Sequence, residues 1–519
     1  MSRTQNATRN IVFGMLLRLY QILIPFFMRT AMIYLMGVEY LGLNSLFTSV
    51  LQVLNLAELG VGSAMVYSMY KPIVDKNETV ICALLKLYKR YYFFIGLVIA
   101  VIGSLITPFI PKLIHGTVPG ELNVYVLYLL NLVATVATYW LFAYKNSLLQ
   151  AHQRSDVASK ISIITNTLQY GIQLLVLWLF HSYYLYVITM LATNALTNIV
   201  VAIAAKKLYP NYTPKGELSK EDVKAINQRV KDLFTAKLGS TVVNSADTIV
   251  ISAFLGLTVL AMYQNYYFIM SSVMGLLAIV FSSCLAGVGN SMVTESVDKN
   301  YNDFRTITFA MSWIVTVCMS CFATMYQPFI SLWVGEQYTF DIFVVALFCV
   351  YFYLVTMQQI PGMYKDAGGV LHQDRFRPLI AALVNLLFNL IFVRVWGIYA
   401  ILLSTIVSYI FVSMPWMMHN VFKYVFKRSW KHYLLDMLLY FGMAFAIALL
   451  CFFICNQIPK VNLMLNVVVN CIISVLVSNI VLFIVFRGNK YYNQMIELIE
   501  RITHKKLSRL KYIKNNSKE

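Results

Sequence analysis

The sequence predicts an all-α integral membrane protein with about fourteen transmembrane helices, arranged as two pseudo-symmetric six-helix bundles plus two C-terminal helices around a central cavity. Three observations predict this fold: the apolar composition, the distribution of basic residues among the loops, and an internal repeat. Of the 519 residues, 59% are hydrophobic and only 12% are charged, and the mean hydropathy is +0.68. A water-soluble chain of this length does not keep such a balance, so we expect the bilayer to be its solvent.

Fourteen apolar segments are long enough to cross about 30 Å of hydrocarbon at a rise of about 1.5 Å per residue. These predicted spans are residues 11–36, 41–70, 87–111, 122–149, 157–180, 184–208, 231–256, 258–290, 305–333, 341–364, 376–395, 398–421, 433–456 and 462–486. The domains predicted from them are an N-terminal bundle (1–208), a cytoplasmic linker (209–229), a C-terminal bundle (230–421), an appended helix pair (422–486) and a basic cytoplasmic tail (487–519), expected to begin as a short amphipathic helix.

The basic residues segregate among the loops as the positive-inside rule requires. With both termini in the cytoplasm, the outer loops carry only Lys112, Arg394 and Lys460 of the 41 lysines and arginines. A miscounted span would exchange the sides of every later loop and remove this asymmetry, so fourteen spans are favoured. The net charge of +19 is spread in short clusters between apolar runs. It therefore indicates membrane topology and not a nucleic-acid partner.

Residues 10–47 recur at a constant shift of 219 positions. The overlay pairs Gly37 with Gly256 and Arg18 with Lys237. Six predicted spans separate the two copies, so the bundles would be parallel repeats related by an axis along the membrane normal, with a cavity between them. This arrangement is typical of an alternating-access transporter.

Three cations lie inside predicted spans, namely Arg18, Arg29 and Lys237. Arg18 and Arg29 share a face of the first helix, and an arginine at mid-bilayer costs at least about 2.5–3.5 kcal/mol on insertion scales. We therefore expect these cations to line a wet cavity, where a positive lumen selects anionic cargo and arginine suits bidentate phosphate contacts. The alternative is that the arginines reach the interfaces or pair with the buried carboxylates Glu58 and Asp247.

Pro25 lies between the two arginines and is predicted to act as a hinge, because proline removes a backbone hydrogen bond from the helix. Such a hinge would pass cargo from one arginine to the other. Glu58 and Asp247 are expected either to balance the charge of the cations or to bind a coupling ion, a proton or sodium. The sequence leaves both roles open.

No catalytic residue, cofactor or metal centre is predicted. The eight cysteines fall almost entirely inside apolar segments, with neither metal-ligand spacing nor a disulfide framework. Cys318 and Cys321 form a Cys-x-x-Cys motif on one face of a predicted span, where we expect both side chains to serve packing.

Several motifs together resemble one known group. Residues 37–47 (Gly-Val-Glu-Tyr-Leu-Gly-Leu-Asn-Ser-Leu-Phe), residues 56–64 (Leu-Ala-Glu-Leu-Gly-Val-Gly-Ser-Ala) and residues 70–72 (Tyr-Lys-Pro) are similar to the polysaccharide-type flippases of the multidrug/oligosaccharidyl-lipid/polysaccharide exporter superfamily. Residues 365–369 (Lys-Asp-Ala-Gly-Gly) and 375–379 (Arg-Phe-Arg-Pro-Leu) resemble the same group.

The resemblance spans roughly residues 3–420 and is most specific in the first helix pair. It implies a bacterial protein of the cytoplasmic (inner) membrane that flips undecaprenyl-diphosphate-linked oligosaccharide repeat units outward for capsule, O-antigen or exopolysaccharide assembly. The family's lumen arginines carry over to Arg18 and Arg29, with Lys237 as a further match. The diphosphate would bind these cations while the prenyl tail stays among the membrane lipids.

Two other classes of function remain open. A cation-coupled drug or toxin extruder of the same superfamily would take cationic cargo through twelve spans, which disagrees with three lumen cations and two extra spans. An outer-face polysaccharide polymerase or ligase would need catalytic outer loops, which here offer mainly four acids, Glu39, Glu121, Glu336 and Asp341. A lipid scaffold without transport is a third alternative, in which removal of the cations would have no effect.

Overall fold

The computed structural model describes residues 3–116, 118, 122–370, 372–459 and 462–503. Within these ranges, side chains are described except at 3–12, 57, 235–237, 240, 243–244, 282–283, 286, 498–499 and 501–503. Regular structure in this part of the chain is entirely helical, and it forms two compact units, Met1–Ala261 and Met262–Glu519.

The first unit is built from long apolar helices with polar N-caps at several starts. Asn77 and Asn123 each accept hydrogen bonds from backbone N–H groups of the turn that follows, which satisfies donors a helix start leaves unpaired. The helices are α1 (Arg3–Leu35), α2 (Val38–Leu54), α3 (Val61–Val74), α4 (Glu78–Ile106), α5 (Val124–Trp140), α6 (Tyr144–Ala151), α7 (Ser155–Phe180), α8 (Tyr183–Leu208) and α9 (Lys220–Leu255).

In the second unit, α11 packs against α12, α16, α17 and α18. The helices that follow α9 are α10 (Leu257–Thr294), α11 (Val297–Trp333), α12 (Ile342–Ala367), α13 (Arg377–Trp396), α14 (Ile398–Ser408), α15 (Met414–Asn420), α16 (Lys431–Asn456), α17 (Leu463–Phe486) and α18 (Lys490–Thr503). Helix α10 begins at the end of the first unit and continues in the second.

Eleven helices of the described chain are long and apolar enough to cross a membrane, and the pair α5 and α6, bent by 50°, would make a twelfth. The predicted count of fourteen is not reached by this measure. The predicted span 41–70 is divided between α2 and α3. The predicted span 231–256 lies in α9, where only Ser245–Leu255 forms a short apolar helix. The first segment is broken between two helices, and in the second the side chains at 235–237, 240 and 243–244 lie outside the described residues, so only its last part was assessed.

The start of the basic tail folds back onto the second unit. The apolar face of α18 is buried through Tyr492, Met495 and Ile496, which belong to one core cluster with Phe309 of α11 and Phe486 of α17. This helix begins at Lys490, close to the predicted start of the tail, and residues 504–519 lie outside the described chain.

The two copies of the predicted repeat share the geometry of their central turn. Gly37 joins α1 to α2 with φ 121°, and Gly256 joins α9 to α10 with φ 92°. Each glycine N–H donates to the carbonyl five residues earlier, Met32 at 3.2 Å and Ile251 at 3.1 Å. A positive φ at the end of a helix favours glycine, which explains why this residue recurs at the shift of 219.

The two turns also contact each other within the first unit. The Thr258 hydroxyl donates to a carboxylate oxygen of Glu39 at 3.3 Å, and these positions are themselves 219 residues apart. A Cβ atom on Gly42 would lie 2.3 Å from the carbonyl oxygen of Leu257, so the backbones are in direct contact there. A two-fold relation between the two copies of the turn would bring equivalent positions into contact, as is seen for Glu39 and Thr258.

Candidate functional site

Helix α1 carries Arg18, Pro25 and Arg29, and the helix continues unbroken through the proline. The Arg18 side chain is exposed. The Arg29 side chain is half-buried, with Nη1 fully buried, and its guanidinium is close enough to Tyr186 of α8 to interact with it electrostatically. Arg29 is therefore partly enclosed by the first unit.

The side chains around Tyr186 on α7 and α8 are aromatic and polar. Tyr186 stacks on Tyr183 with ring centroids 5.8 Å apart, and Tyr183 contacts Tyr40 at 5.4 Å. The Gln173 amide donates to the backbone oxygen of Tyr186 at 3.1 Å, and Gln169 donates to Gln173 at 3.4 Å.

The remaining predicted residues of the repeat lie in α9. The backbone of Lys237 is helical, and its side chain lies outside the described residues. Asp247 is buried. Three hydroxyl side chains close to it along the helix, Ser245, Thr248 and Ser252, are buried as well, and together these residues form a polar strip. Helix α9 packs on α2, so this polar strip lies inside the first unit.

Glu58 lies at a break that divides the predicted second span. Helix α2 ends at Leu54, a 3-10 turn covers Asn55–Glu58, and Gly60 with φ +90° precedes α3. A Cβ atom on Gly60 would lie 2.8 Å from both the Val230 carbonyl oxygen and the Leu233 Cβ of α9. The close approach of α9 and the positive φ both require glycine at this position.

Tyrosine hydroxyls occupy both oxygens of the Glu58 carboxylate. Tyr92 of α4 donates to Oε1 at 2.5 Å, and Tyr139 of α5 donates to Oε2 at 2.8 Å. Tyr88, one turn before Tyr92, donates to the Tyr92 hydroxyl at 2.7 Å. The result is a chain of three hydroxyls and one carboxylate that ties the break to two neighbouring helices. The tyrosines are buried and Glu58 is half-buried.

The alternative in which Glu58 pairs with Arg18 or Arg29 is not observed. Among the side chains that the structure describes, no cation forms an ion pair with Glu58. Its two described partners, Tyr92 and Tyr139, are neutral, and sequence reasoning missed both of them and Tyr88 behind Tyr92. A signal was present, because Leu-Gly-Val-Gly at 59–62 interrupts an apolar run directly after an acid.

The second unit holds a buried carboxylate whose partners include cations, in the turn between α12 and α13. Asp374 is 4% exposed and accepts hydrogen bonds from Arg377 Nε at 2.8 Å and Nη2 at 3.0 Å, and from Lys365 at 3.1 Å. Arg377 Nη1 also donates to the Ser413 hydroxyl at 2.7 Å. Asn420 donates to Asp374 at 3.2 Å. These cations come from the two motifs at residues 365–369 and 375–379.

A cavity of about 890 Å³ lies in the second unit, lined by α11, α12, α16 and α17. Its polar lining includes Gln327, Glu336, Asn466 and Asn470. Nothing in the sequence analysis predicted this cavity. In the described chain, no group of three or more His, Cys, Asp or Glu side chains is placed to hold a metal ion.

No protein-family model and no curated protein matches the sequence. Solved structures do match the fold. The lipid II flippase MurJ in an inward closed conformation matches with a TM-score of 0.68 and 14% identity, over 92% of this chain and 99% of that chain. An inward-facing multidrug resistance MATE family transporter of the MOP superfamily matches with a TM-score of 0.58 and 12% identity, over 79% and 97%. A MATE protein in the bent conformation matches with a TM-score of 0.53 and 12% identity, over 80% and 95%.

At these identities the matches show the fold alone. The chain is an all-α, multi-pass membrane protein with the fold of MurJ and of the MATE transporters of the MOP superfamily. The resemblance seen in the sequence is thereby confirmed at the level of the superfamily fold. The polysaccharide-type family within it stays a prediction.

Proposed function

We propose that the protein is an alternating-access flippase that moves undecaprenyl-diphosphate-linked oligosaccharide repeat units from the inner to the outer leaflet of the bacterial cytoplasmic membrane. The product would serve surface polysaccharide biosynthesis. In this proposal fourteen spans surround a central cavity and both termini are cytoplasmic. The observation that carries it is the pair of arginines on α1, one of them half-buried and within electrostatic range of Tyr186 of α8, in a chain with the fold of a lipid flippase.

The extent of the structural matches supports a lipid-linked cargo over a drug. The match to the lipid II flippase covers 92% of this chain, whereas the match to the multidrug transporter covers 79%. The longer match to the lipid flippase is expected if the C-terminal helix pair appended to this chain has a counterpart in that protein. The larger TM-score also belongs to the lipid flippase, 0.68 against 0.58.

The chemistry of α1 suits a diphosphate. A guanidinium presents its N–H donors in a planar fork that pairs with two phosphate oxygens at once, and it stays charged in a partly apolar site. Arg18 and Lys237 would supply further positive charge along the path, and Pro25 the hinge between the arginines. The cargo undergoes no covalent change.

The candidate catalytic acids of an outer-face polymerase or ligase give this alternative little support. Glu39 accepts a hydrogen bond from Thr258 at the contact between the repeat turns. Asp341 caps α12 and accepts a hydrogen bond from the Tyr399 hydroxyl at 2.6 Å. Two of the four outer acids therefore have structural partners. Glu121 lies outside the described residues.

Reconstitution in vesicles tests the proposal. Purified protein is inserted into vesicles that carry a lipid-diphosphate oligosaccharide, and outward exposure of the sugar is scored over time. Arg18→Glu, Arg29→Glu and Lys237→Glu should each slow transport by at least about tenfold, because a lost charge-assisted contact is worth about 1.5–3 kcal/mol. Lys89→Glu, at an exposed position on α4, serves as the matched control and should retain the rate. Wild-type rates in all three variants would contradict an anion path along these cations.

Pro25→Ala separates the hinge from the binding site. If the proline allows α1 to bend during transport, the variant should bind the lipid-diphosphate normally but transport it more slowly. Equal loss of binding and transport would count against a hinge. Binding is measured by retention of the labelled lipid on detergent-solubilised protein.

A further inference from the structure

We propose that the cavity of about 890 Å³ in the second unit is a carbohydrate-binding site, which takes sugar units of the cargo through their hydroxyl groups. The proposal goes beyond the cations of α1 and α9, and it rests on the proposed function only for the source of the sugar. Sugar binding itself rests on the side chains that line the cavity.

The cavity lies at one end of the second unit, where α11 and α16 end and α12 and α17 begin. The connections that border it are residues 334–341 and 457–462, which belong to outer loops in the proposed topology. Its volume falls within the range of about 300–1,000 Å³ that small-molecule sites occupy. The cavity therefore has the position and the size to receive a sugar on the outer side of the membrane.

Three hydrogen-bonding side chains of the cavity wall are free to bind a ligand. Ser331 of α11, Asn456 of α16 and Asn466 of α17 line the cavity, and none of these side chains forms a hydrogen bond with another described residue. A polar group without a partner in an apolar helix bundle costs free energy, so such groups face water or a ligand. An amide both donates and accepts, as a sugar hydroxyl does, and these groups therefore match the hydrogen-bonding pattern of a sugar.

Hydrogen bonds between helices fix the inner part of the cavity wall. Asn470 donates to the carbonyl oxygen of Thr324 at 3.0 Å, and the hydroxyls of Thr324 and Ser474 are 2.8 Å apart. The side-chain oxygen of Gln327 accepts from the Tyr266 hydroxyl at 3.3 Å. Because these contacts exist before a ligand enters, little of the wall has to be ordered on binding.

The apolar part of the wall suits the C–H groups of a sugar ring. Pro328, Phe452 and Pro459 line the cavity together with the amides and hydroxyls. Burial of C–H surface against such side chains is favourable, and the polar groups then fix the orientation of the ligand. A sugar has both kinds of surface, so it can use both parts of the wall at once.

The charge of the wall argues against an anionic ligand. Of the described residues that line the cavity, Glu336 is the one with a charged side chain, and it is exposed. A phosphate or diphosphate group is bound by cations, and no lysine or arginine lines the cavity in this part of the chain. Lys460 in the adjacent loop lies outside the described residues, so a competing anion belongs in the test.

A single acid also favours binding of a sugar over its cleavage. Glycosidases use a pair of carboxyl groups that flank the bond to be broken. The next acid along the chain, Asp341, does not line the cavity, and it accepts a hydrogen bond from the Tyr399 hydroxyl at 2.6 Å. Glu336, one of the candidate catalytic acids of an outer-face enzyme, is thus suited to accept hydrogen bonds from sugar hydroxyls.

Saturation-transfer NMR tests sugar binding without any transport. The probe is the oligosaccharide mixture released by mild acid from the lipid extract of the cells that naturally make the protein, and then freed of phosphate by a phosphatase. It is added to full-length protein in lipid nanodiscs, with empty nanodiscs as the background. Saturation transferred to the sugar ring protons should exceed that background. A signal no larger than the background would overturn the proposal.

Two variants test whether the sugar lies in this cavity. Asn466→Leu and Ser331→Ala each remove one hydrogen-bonding group and should weaken binding about two- to tenfold. Asn479→Leu is the matched control, because it makes the same change on α17 outside the cavity, and it should bind as the wild type does. If neither variant weakens binding, or if the control weakens it equally, the sugar lies elsewhere and the proposal is wrong. Ser331→Ala is conservative enough to decide the point should Asn466→Leu misfold.

Two charged compounds separate a sugar site from an ion site. Pyrophosphate should leave the sugar signal unchanged, and loss of the signal would show binding through cations and overturn the proposal. Tetraphenylphosphonium represents a cationic ligand and should also leave the signal unchanged. If it removes the signal in the wild type but not in Glu336→Gln, the cavity selects cations and the proposal is equally wrong.

The vesicle assay described above separates failure of this proposal from failure of the proposed function. If the sugar binds in the cavity but the wild-type protein moves no lipid-linked oligosaccharide, the proposed cargo fails and the carbohydrate site stands. If the protein moves that cargo but gives no sugar signal in nanodiscs, the carbohydrate site fails and the flippase stands.

Discussion

Glu58 in the first unit and Asp374 in the second are acids in turns between helices, yet their partners differ in kind. Asp374 accepts hydrogen bonds from Lys365 and Arg377, both cations, at 2.8–3.1 Å. Glu58 accepts only from tyrosine hydroxyls among the described side chains. Cations hold the charge of Asp374 in place, since neutralising it would leave Arg377 without a carboxylate partner and Lys365 with Asp366 alone. Neutral donors leave Glu58 able to change its charge without stranding another ion.

The difference between the partners of Asp374 and Glu58 shows that a carboxylate serves two purposes in this protein. The Asp374 network fixes the connection between α12 and α13, and it is structural. The Glu58 network ties a broken helix to α4 and α5 through bonds whose strength depends on one proton. Three substitutions sharpen or break this comparison.

The largest effect is expected for Asp374→Asn. The substitution leaves Arg377 without its carboxylate partner and Lys365 with Asp366 alone, and breaking the ion pairs of a buried acid in this way costs about 3–5 kcal/mol of stability. Thermal unfolding of the purified protein in detergent should show a large fall in the midpoint. Asp366→Asn removes the half-exposed second partner of Lys365 and should cost at most about 1 kcal/mol. Equal shifts in the two variants would contradict a structural role for Asp374.

A smaller effect is expected for Glu58→Gln in the same assay. The amide keeps the shape of the side chain but directs an NH₂ group at a tyrosine hydroxyl, which costs about 1–3 kcal/mol for a mismatched buried hydrogen bond. No buried charge is left behind. A loss of stability as large as that of Asp374→Asn would mean that Glu58 balances a cation after all, and the comparison would fail.

The smallest effect is expected for Tyr139→Phe. One donor to the carboxylate is lost, and because Glu58 is half-buried, water recovers part of the hydrogen bond, so the cost should be about 1 kcal/mol. Tyr125→Phe on the same helix is the control, since Tyr125 is 45% exposed and should have no effect on stability. If both variants behave alike, the hydroxyl of Tyr139 does not hold the break.

Local patterns in the sequence were enough to predict most helices and the repeat. Apolar segments of sufficient length mark the helices, and glycine at positions 37 and 256 marks two turns of the same geometry, because a positive φ is a local requirement. The same reasoning placed a single span over residues 41–70. It failed at Gly60, whose need for glycine comes from contact with α9, about 170 residues later in the chain.

The cations on α1 and the acid at position 58 were identified from the sequence alone, because an ionisable residue within an apolar run is rare enough to stand out. Their partners were not identifiable. Tyr92 and Tyr139 lie 34 and 81 residues from Glu58, among 35 tyrosines with nothing in the sequence to distinguish them. Tyr186, which interacts electrostatically with Arg29, likewise comes from a helix distant in sequence.

By itself, then, the sequence determined the membrane class, the repeat and the identity of the charged residues, since each follows from composition or from spacing along one segment. Only the tertiary structure decided which charges are compensated and which can change. The physical reason is that the free energy of a buried charge depends on the donors within a few ångströms of it, and helix packing brings those donors from remote parts of the chain.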